Sequence, residues 1–430
     1  MKIALNSYTG YGAHFILRLL AEGHSVDYFL SEPKFEPILQ GLVKPKLINP
    51  DSRKSYQNYI NDLPKYNKYD LSIFDLTGKP KQAEHSFSLT PTIGDGHFHT
   101  MLEDDRNFGI EIMKDAGIQI PPYEKFTDVN EAKAFIKKND KRYVYKPDGG
   151  QDQNAETTYV SEDAEDLLEA IDNLFAASKG SPFILQEFIK GIEVSTEGWF
   201  NGTDFYCLNC TLEEKKFMND GIGPNTGCSG NLVFSINPHA KIFKDGLGQL
   251  AKTYPSFRGM IDLNAIITDD GLYGLEWTPR FGYDATATFA EMYGGNFGQL
   301  LFDIASSNVP DNSWKASFGA SVRLTIPPYP TELHISKKAG IPIKGINLED
   351  QEQMVKTYLY DVKLDRDKLI TAGLNGFIAA PVEIGRSIPE AFDKLKYRIE
   401  EIQIPDMQYR TDIQKTVSKR YLELQEKGWI

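Results

Sequence analysis

Two apolar stretches, GMIDLNAIIT (259–268) and LYGLEWTP (272–279), flank Asp269-Asp270-Gly271 and carry acids among aliphatic and aromatic residues. No other part of the chain restricts its fold as tightly. Length and composition mark both stretches as strands, with the acidic glycine segment as the turn between them. A three-residue turn makes Asn264 face Glu276 and Asp262 face Thr278. Residues two apart, and direct cross-strand partners, project from one face of a sheet. All four side chains then share a face, and two carboxylates beside short polar groups form an oxygen-rich patch suited to Mg2+. Register decides the matter, because a two-residue turn would send Asp262 and Glu276 to opposite faces. The plainer alternative is a solvated hairpin face with ordinary acids.

The segments KIALN (2–6), HSVDYFL (24–30) and DLSIFD (70–75) read as strands, and AHFILRLLAEG (13–23) as a helix between the first two. Strands alternating with helices predict an open parallel sheet. The turn SYTGYG (7–12) lacks a complete G-x-G-x-x-G, so it suggests a small nucleotide-like or phosphate-bearing ligand rather than a dinucleotide. LEDDRNFGIEIMKDAGI (102–118) reads as one amphipathic helix ending at Gly117. EDAEDLLEAIDNLF (162–175) follows as another helix, with Leu167, Leu168, Ile171, Leu174 and Phe175 on one face. FILQEFI (183–189) is a buried strand, and a hairpin comes next with Asn201-Gly202 as its turn. Past about 315 the chain predicts short strands, Pro-rich breaks and a helical tail.

Three further groups are candidates for chemistry. Lys146 ends an apolar strand before Asp148-Gly149-Gly150, where a lysine either holds phosphate as a point charge or extends its head into solvent. GPNTGCSG (223–230), after Lys215-Lys216, is an anion-binding loop or a plain connection. Arg280, four residues after Glu276, can fork onto a carboxylate or phosphate beside the metal.

The composition bounds these readings. A chain of 430 residues predicts about three domains. Its 47 Lys+Arg against 60 Asp+Glu give a formal net charge of −13, which argues against direct nucleic-acid binding and against an anionic membrane surface. No apolar run approaches the ~20 residues of a membrane span, and MKIALNSYTG lacks a signal-peptide core, so the expected location is cytoplasmic. Three cysteines cannot build a disulfide framework, and Cys207 and Cys210 sit within a strand that keeps their sulfurs apart. His97 and His99 stand without further Cys or His nearby, and there is neither a G-x-S-x-G nor a Walker motif.

In chain order these pieces resemble the ATP-grasp superfamily and, within it, the phosphoribosylamine–glycine ligases (glycinamide ribonucleotide synthetases). RNFGIEIMKDAGI (106–118) resembles the family's entry helix, with Arg106 where a lysine is usual. Lys146-Pro147-Asp148-Gly149 matches K-A-D-G, and Gln186-Glu187-Phe188-Ile189 with Gly191 to Ser195 match the adenine hinge and ribose segment. Glu213 to Lys216 stand for D-H-K-R, and Gly223-Pro224-Asn225-Thr226-Gly227 for G-P-N-T-G. Leu275 to Gly282 resemble L-E-F-N-V-R-F-G, and Tyr409 to Ile413 the closing Y-R-x-D-I.

The resemblance implies an α/β fold in three parts. These are an open parallel α/β domain over 1–98, an ATP-grasp domain over 99–315, and a small β-rich C-terminal domain over 316–430. The ATP-grasp domain divides into two α+β subdomains, a lid at about 120–188 and a catalytic half at about 189–315. It implies an ATP-dependent ligase that joins small carboxylate and amine substrates through an acyl phosphate, acting as a monomer or homodimer. Arg106 and Lys146 would hold phosphates, Gln186, Glu187, Phe188 and Ile189 adenine, and Glu193 ribose. Glu276 with Asp262 or Thr278 would hold Mg2+, with Mn2+ as an alternative. Arg280 and Lys215 would be the catalytic groups, binding substrate with Gly223 to Gly227.

Departures accompany the matches. Thr278 replaces the family's metal-binding asparagine, and GGQDQNAET (149–157) replaces a glycine- and lysine-rich flap. NSYTGYGAH (6–14) only loosely follows G-S-G-G-R-E-H, with His14 near the family's histidine. A fold can keep its nucleotide site while its substrates change. A different acid and amine, or a nucleotide-binding protein without turnover, are the alternative functions.

Overall fold

A computed structural model describes residues 1–7, 9–30, 32–47, 69–75, 90–94, 97–147, 158–253, 257–331 and 338–430. Asp148 to Gly150 and the rest of the 149–157 segment lie outside the described residues, as does the His97 side chain.

Strands β1 (Lys2–Ser7), β2 (Ser25–Leu30), β3 (Pro45–Leu47), β4 (Leu71–Phe74) and β5 (Thr92–Ile93) form a parallel sheet in the order β3-β2-β1-β4-β5. Ile3, Leu5, Leu71 and Ile73 are fully buried, as expected for strands enclosed on both faces. Helix α1 (His14–Ala21) buries Phe15, Ile16 and Leu19 in the same core.

The helix expected over 102–118 is two helices, α2 (His97–Asp104) and α3 (Arg106–Asp115). Asp105 separates them by leaving helical geometry and capping α3, its Oδ1 accepting the Phe108 N–H at 3.0 Å. Gly109 lets α3 pass close to the Leu102 carbonyl, since a Cβ there would stand 2.9 Å from that oxygen.

The lid follows. Strands β6 (Tyr123–Phe126), β7 (Tyr143–Pro147), β8 (Tyr159–Val160) and β9 (Phe183–Glu187) pair antiparallel in the order β6-β9-β7-β8. Helices α4 (Val129–Asn139) and α5 (Ala164–Ala177) start on the side-chain caps of Asp128 and Asp163. Ile136, Leu167 and Ile171 pack with Tyr143, Tyr145, Phe183 and Leu185 into a core separate from the main one.

The central sheet uses β10 (Ile192–Phe200), β11 (Phe205–Lys216), β12 (Asn225–Ser235), β13 (Gly259–Ile267), β14 (Leu272–Thr278) and β15 (Phe318–Val322). Helix α6 (Tyr283–Met292) follows β14. In the C-terminal segment, β16 (Leu324–Thr325) pairs with β19 (Phe377–Ala379), and β17 (Val362–Asp365) with β18 (Lys368–Thr371). Strand β20 (Val382–Gly385) pairs with β15 and completes the order β14-β13-β10-β11-β12-β15-β20, all antiparallel. The C-terminal segment thus adds two strands to the central sheet as well as its own helices α7 (Ile388–Glu401) and α8 (Ile413–Glu426).

Two turns differ from expectation. The β10–β11 connection spans four residues, because Asn201 Oδ1 accepts the N–H groups of both Thr203 and Asp204 and draws them into the loop. At β13–β14 the loop is Thr268–Gly271, closed by Thr268 Oγ1, which accepts from the Asp270 and Gly271 N–H groups.

Candidate active site

The longer β13–β14 loop by itself would spoil the expected register, and Ala265 indeed faces Gly274 near the turn. A bulge then leaves Leu275 without an opposite residue. Beyond it Asn264 faces Glu276 and Asp262 faces Thr278, so the expected pairs form for a different reason.

Pairing carries this face across the sheet. Ser195 and Glu197 on β10 face Asn264 and Asp262, and on the other side Thr211 and Asn209 of β11. Glu197 accepts hydrogen bonds from Asn209 Nδ2 at 2.6 Å and Thr211 Oγ1 at 2.5 Å. Asn264 donates to Asp262 Oδ2 at 3.0 Å, while the buried Asp262 Oδ1 has no hydrogen-bond partner among the described residues. Burial pushes the Glu197 carboxyl up to about 7, and burial together with Lys215 nearby leaves Glu213 at about 7. Asp262 is raised well above the carboxylate range by burial and then by Glu197. Polar residues at every second position of apolar strands were the available sequence signal for Ser195, Glu197, Asn209 and Thr211.

Lys215 and Glu193 form an ion pair at 2.5 Å at the edge of this face. Burial opposes the Lys215 charge, but Glu193, Glu276 and Glu213 outweigh it and raise its pKa. The end of β11 is held from the C-terminus. Buried Arg410 contacts Glu214 at 3.0 Å, Asp412 at 2.8 Å and the Lys216 carbonyl at 3.0 Å. The closing Tyr409–Ile413 motif therefore secures the strand that presents Lys215.

The 223–230 stretch is no free loop. Asn225 pairs with Lys216 and Gly230 with Glu214, so the residues between them bulge out opposite Lys215. Thr226 turns inward, donating from Oγ1 to the Lys215 carbonyl at 3.0 Å, whereas Gly223, Pro224, Asn225 and Gly227 are exposed.

A cavity of about 330 Å³ lies between α2, α3 and β14, lined among others by Glu103, Arg106, Glu276, Trp277, Thr278 and Arg280. Sequence reasoning missed Glu103, which grips Arg280 at 2.9 Å through Nε and 2.7 Å through Nη2. Arg106 reaches the lid, donating from Nε to the Pro147 carbonyl at 3.3 Å.

On the lid, register puts Val144, Lys146, Ile184 and Gln186 on the face opposite the lid core. Glu187 lies on the other face and pairs with Lys141 at 2.5 Å, so the expected adenine set divides. Phe188 stacks under the Arg142 guanidinium at 3.7 Å, and Ile189 follows it beyond the strand. Lys146 is 8% exposed, and burial first, then the Arg106 charge, lowers its pKa to about 8. Glu276 and Glu193, from the sheet below, partly offset that fall.

Residues 104–286 match the family described as Phosphoribosylglycinamide synthetase, ATP-grasp (A) domain. The chain carries an ATP-grasp domain and resembles phosphoribosylamine–glycine ligase. A phosphoribosylamine–glycine ligase of Streptococcus pneumoniae R6 is 27% identical over 327 residues, covering 73% of this chain and 75% of the relative. The ATP-grasp fold is shared with the crystal structure of phosphoribosylamine–glycine ligase from Thermotoga maritima, at TM-score 0.74 and 19% identity over 96% of this chain and 100% of that one. It is shared also with L-amino acid ligase from Bacillus licheniformis, at TM-score 0.63 and 14% identity over 94% and 98% of the two chains. Among the described residues, no helix is long and apolar enough to cross a membrane.

Proposed function

We propose that this ATP-grasp chain is an ATP-dependent carboxylate–amine ligase of the phosphoribosylamine–glycine ligase type, forming an amide through an acyl phosphate. The observation that carries the reading is a buried lysine on the lid, Lys146, set within the field of Glu276, Glu193 and Arg106. Buried lysines need an anion to complete them, and nucleotide phosphates supply one.

In this reading Arg106 and Lys146 hold the ATP phosphates. Gln186 to Ile189 hold adenine through backbone and side chain, and Glu193 the ribose. Arg280, anchored by Glu103, takes the carboxylate substrate with Lys215 and the segment Gly223 to Gly227. The residues fit a hard cation: Glu276 faces the cavity, and Asp262 Oδ1 is a buried acceptor without a partner among the described residues. Glu276, with Asp262 or Thr278, would hold Mg2+ or Mn2+. Among the described residues no three acids, histidines or cysteines are arranged to hold a metal unaided, which suits an ion shared with nucleotide phosphates. When bound there, the ion would supply positive charge against the phosphoryl group being transferred.

The test is ADP release. It should require Mg2+, an acid and an amine together. Mg-dependent ATP binding by calorimetry, without ADP release across a broad panel of acids and amines, would replace the ligase by a nucleotide-binding protein. A different acid and amine from those of the relatives is favoured by the departures in segments 149–157 and 6–14, and nucleotide binding without turnover by Thr278 in the proposed metal set.

A further inference from the structure

A small pocket of about 10 Å³ opens on the acid-bearing face of the central sheet, bounded by Glu193, Ser195, Thr211, Glu213, Lys215 and Asn264. That is the room of one water-sized group. Register fixes its place. Asn264 borders the pocket and faces Glu276, so the pocket lies one strand spacing, about 5 Å, from the acid proposed for the metal. On the other side Glu213 faces Asn231 of β12, the strand that begins with the 223–227 segment.

The walls present acceptors. Ser195 donates its hydroxyl hydrogen to Asn264 Oδ1 at 3.1 Å and Thr211 donates its own to Glu197 at 2.5 Å, so both oxygens have lone pairs left to offer. Asn264 directs its amide N–H to Asp262. The cation of the wall, Lys215, is held by Glu193 at 2.5 Å. Glu213 adds a second carboxyl. Two carboxyls and two hydroxyl oxygens around one matched cation suit a small positive donor. An ammonium group fits in size and in sign, whereas an oxyanion fails in sign. The state of Glu213 suits a further step. Burial raises its carboxyl, Lys215 and then Arg323 oppose the rise, and Asp284 and Glu193 add to it, leaving about 7. Glu197, Asp262 and Cys228 sense its charge or its neighbourhood from β10, β13 and β12. A carboxyl so poised exchanges a proton readily near neutral pH.

We propose that this pocket receives the nitrogen of the amine substrate as an ammonium group, and that Glu213 is the base that takes its proton. The step rests on the ligase reading. One N–H proton passes to the Glu213 carboxylate, and the freed lone pair attacks the acyl carbon. The C–N bond forms and the C–O bond to phosphate breaks, the phosphate leaving with that electron pair and with a second proton from the nitrogen. Ammonia and hydroxylamine test it: at neutral pH the first is almost wholly ammonium, whereas the second is largely unprotonated and attacks without a base. The full chain is assayed with Mg·ATP, a panel of amino acids as acids and either amine, following amide, hydroxamate and ADP. Glu213→Gln should slow amide formation from ammonia about a hundredfold more than hydroxamate formation from hydroxylamine. Glu213→Asp should narrow that gap to about tenfold. Equal losses with both amines in the folded Glu213→Gln chain, or no narrowing in Glu213→Asp, would overturn the proposal. Should Glu213→Gln fail to fold, Glu213→Asp decides alone: a gap of about tenfold supports the base, and equal losses overturn it. A wild-type chain that makes hydroxamate but no amide from ammonia would remove the base and leave the ligase. One that releases no ADP with any acid and either amine would remove both.

Discussion

Lid and central sheet are both antiparallel, yet they use their faces differently. The lid packs one face onto α4 and α5 in a private core and presents Lys146 and Gln186 from the other. The central sheet shares the main core and gives a face to buried acids and amides. Their two lysines record the difference. Lys146 falls to about 8 because burial and Arg106 outweigh its acidic neighbours, whereas three glutamates keep Lys215 firmly charged. Burial decides the charge of the lysine in one sheet, and neighbouring carboxylates decide it in the other.

The comparison breaks most completely at Glu276, the acid that both sheets sense. Glu276→Gln should cut the rate of ADP release by about a thousandfold, with the Tm within about 2 °C of wild type. Full activity would remove Glu276 from the site. Lys146→Met should raise the KM for ATP by about a hundredfold while Lys215→Met acts on the acid's KM, a split that steady-state kinetics can read. Identical profiles would mean that lid and floor do not divide the substrates. Glu103→Gln should raise the KM of the acid about tenfold through a loosened Arg280, leaving that of ATP within about twofold. A fall instead would show that Glu103 competes with substrate for Arg280.

Titration sharpens the contrast further. Lys146 loses its charge as pH rises through about 8, so calorimetric affinity for Mg·ATP should drop about threefold to tenfold between pH 7 and pH 9. The acids of the floor act on stability. Glu213 moves from 4.5 to about 7, so the folded chain holds a proton that the unfolded chain has released. That contribution is complete below pH 4.5 and is lost as pH rises through about 7. Glu213→Gln should therefore flatten the decline of Tm between pH 5 and pH 8 by roughly 2–4 °C, measured by calorimetry. An unchanged slope would deny that Glu213 is protonated in the fold.

Much of this was legible because it follows from periodicity. The parallel N-terminal strands and the lid helix with Leu167 and Ile171 inward come from alternation and helical spacing, whereas the expected pairs of Asp262 and Glu276 form only because a bulge offsets the longer turn. Local hydrogen bonds were not legible. Asp105 divides a continuous helical pattern by capping, Asn201 lengthens a turn, and Thr226 folds a glycine-rich stretch back into a strand. Contacts between distant segments stayed hidden as well. Glu103 meets Arg280 across 177 positions and Asp75 meets Gly12 across 63, distances over which one sequence carries no pattern.

Leu275 has a further consequence. As a supernumerary residue between turn and site, it makes the two independent: it restores the parity that the four-residue loop disturbs. Were Leu275 drawn into the ladder opposite Asn264, Glu276 would face Leu263 and turn away from the cleft while Trp277 came in opposite Asp262. Deleting Leu275 would remove the bulge and leave Glu276 opposite Asn264. The chemistry of this hairpin is written in the arithmetic of odd and even as much as in its side chains.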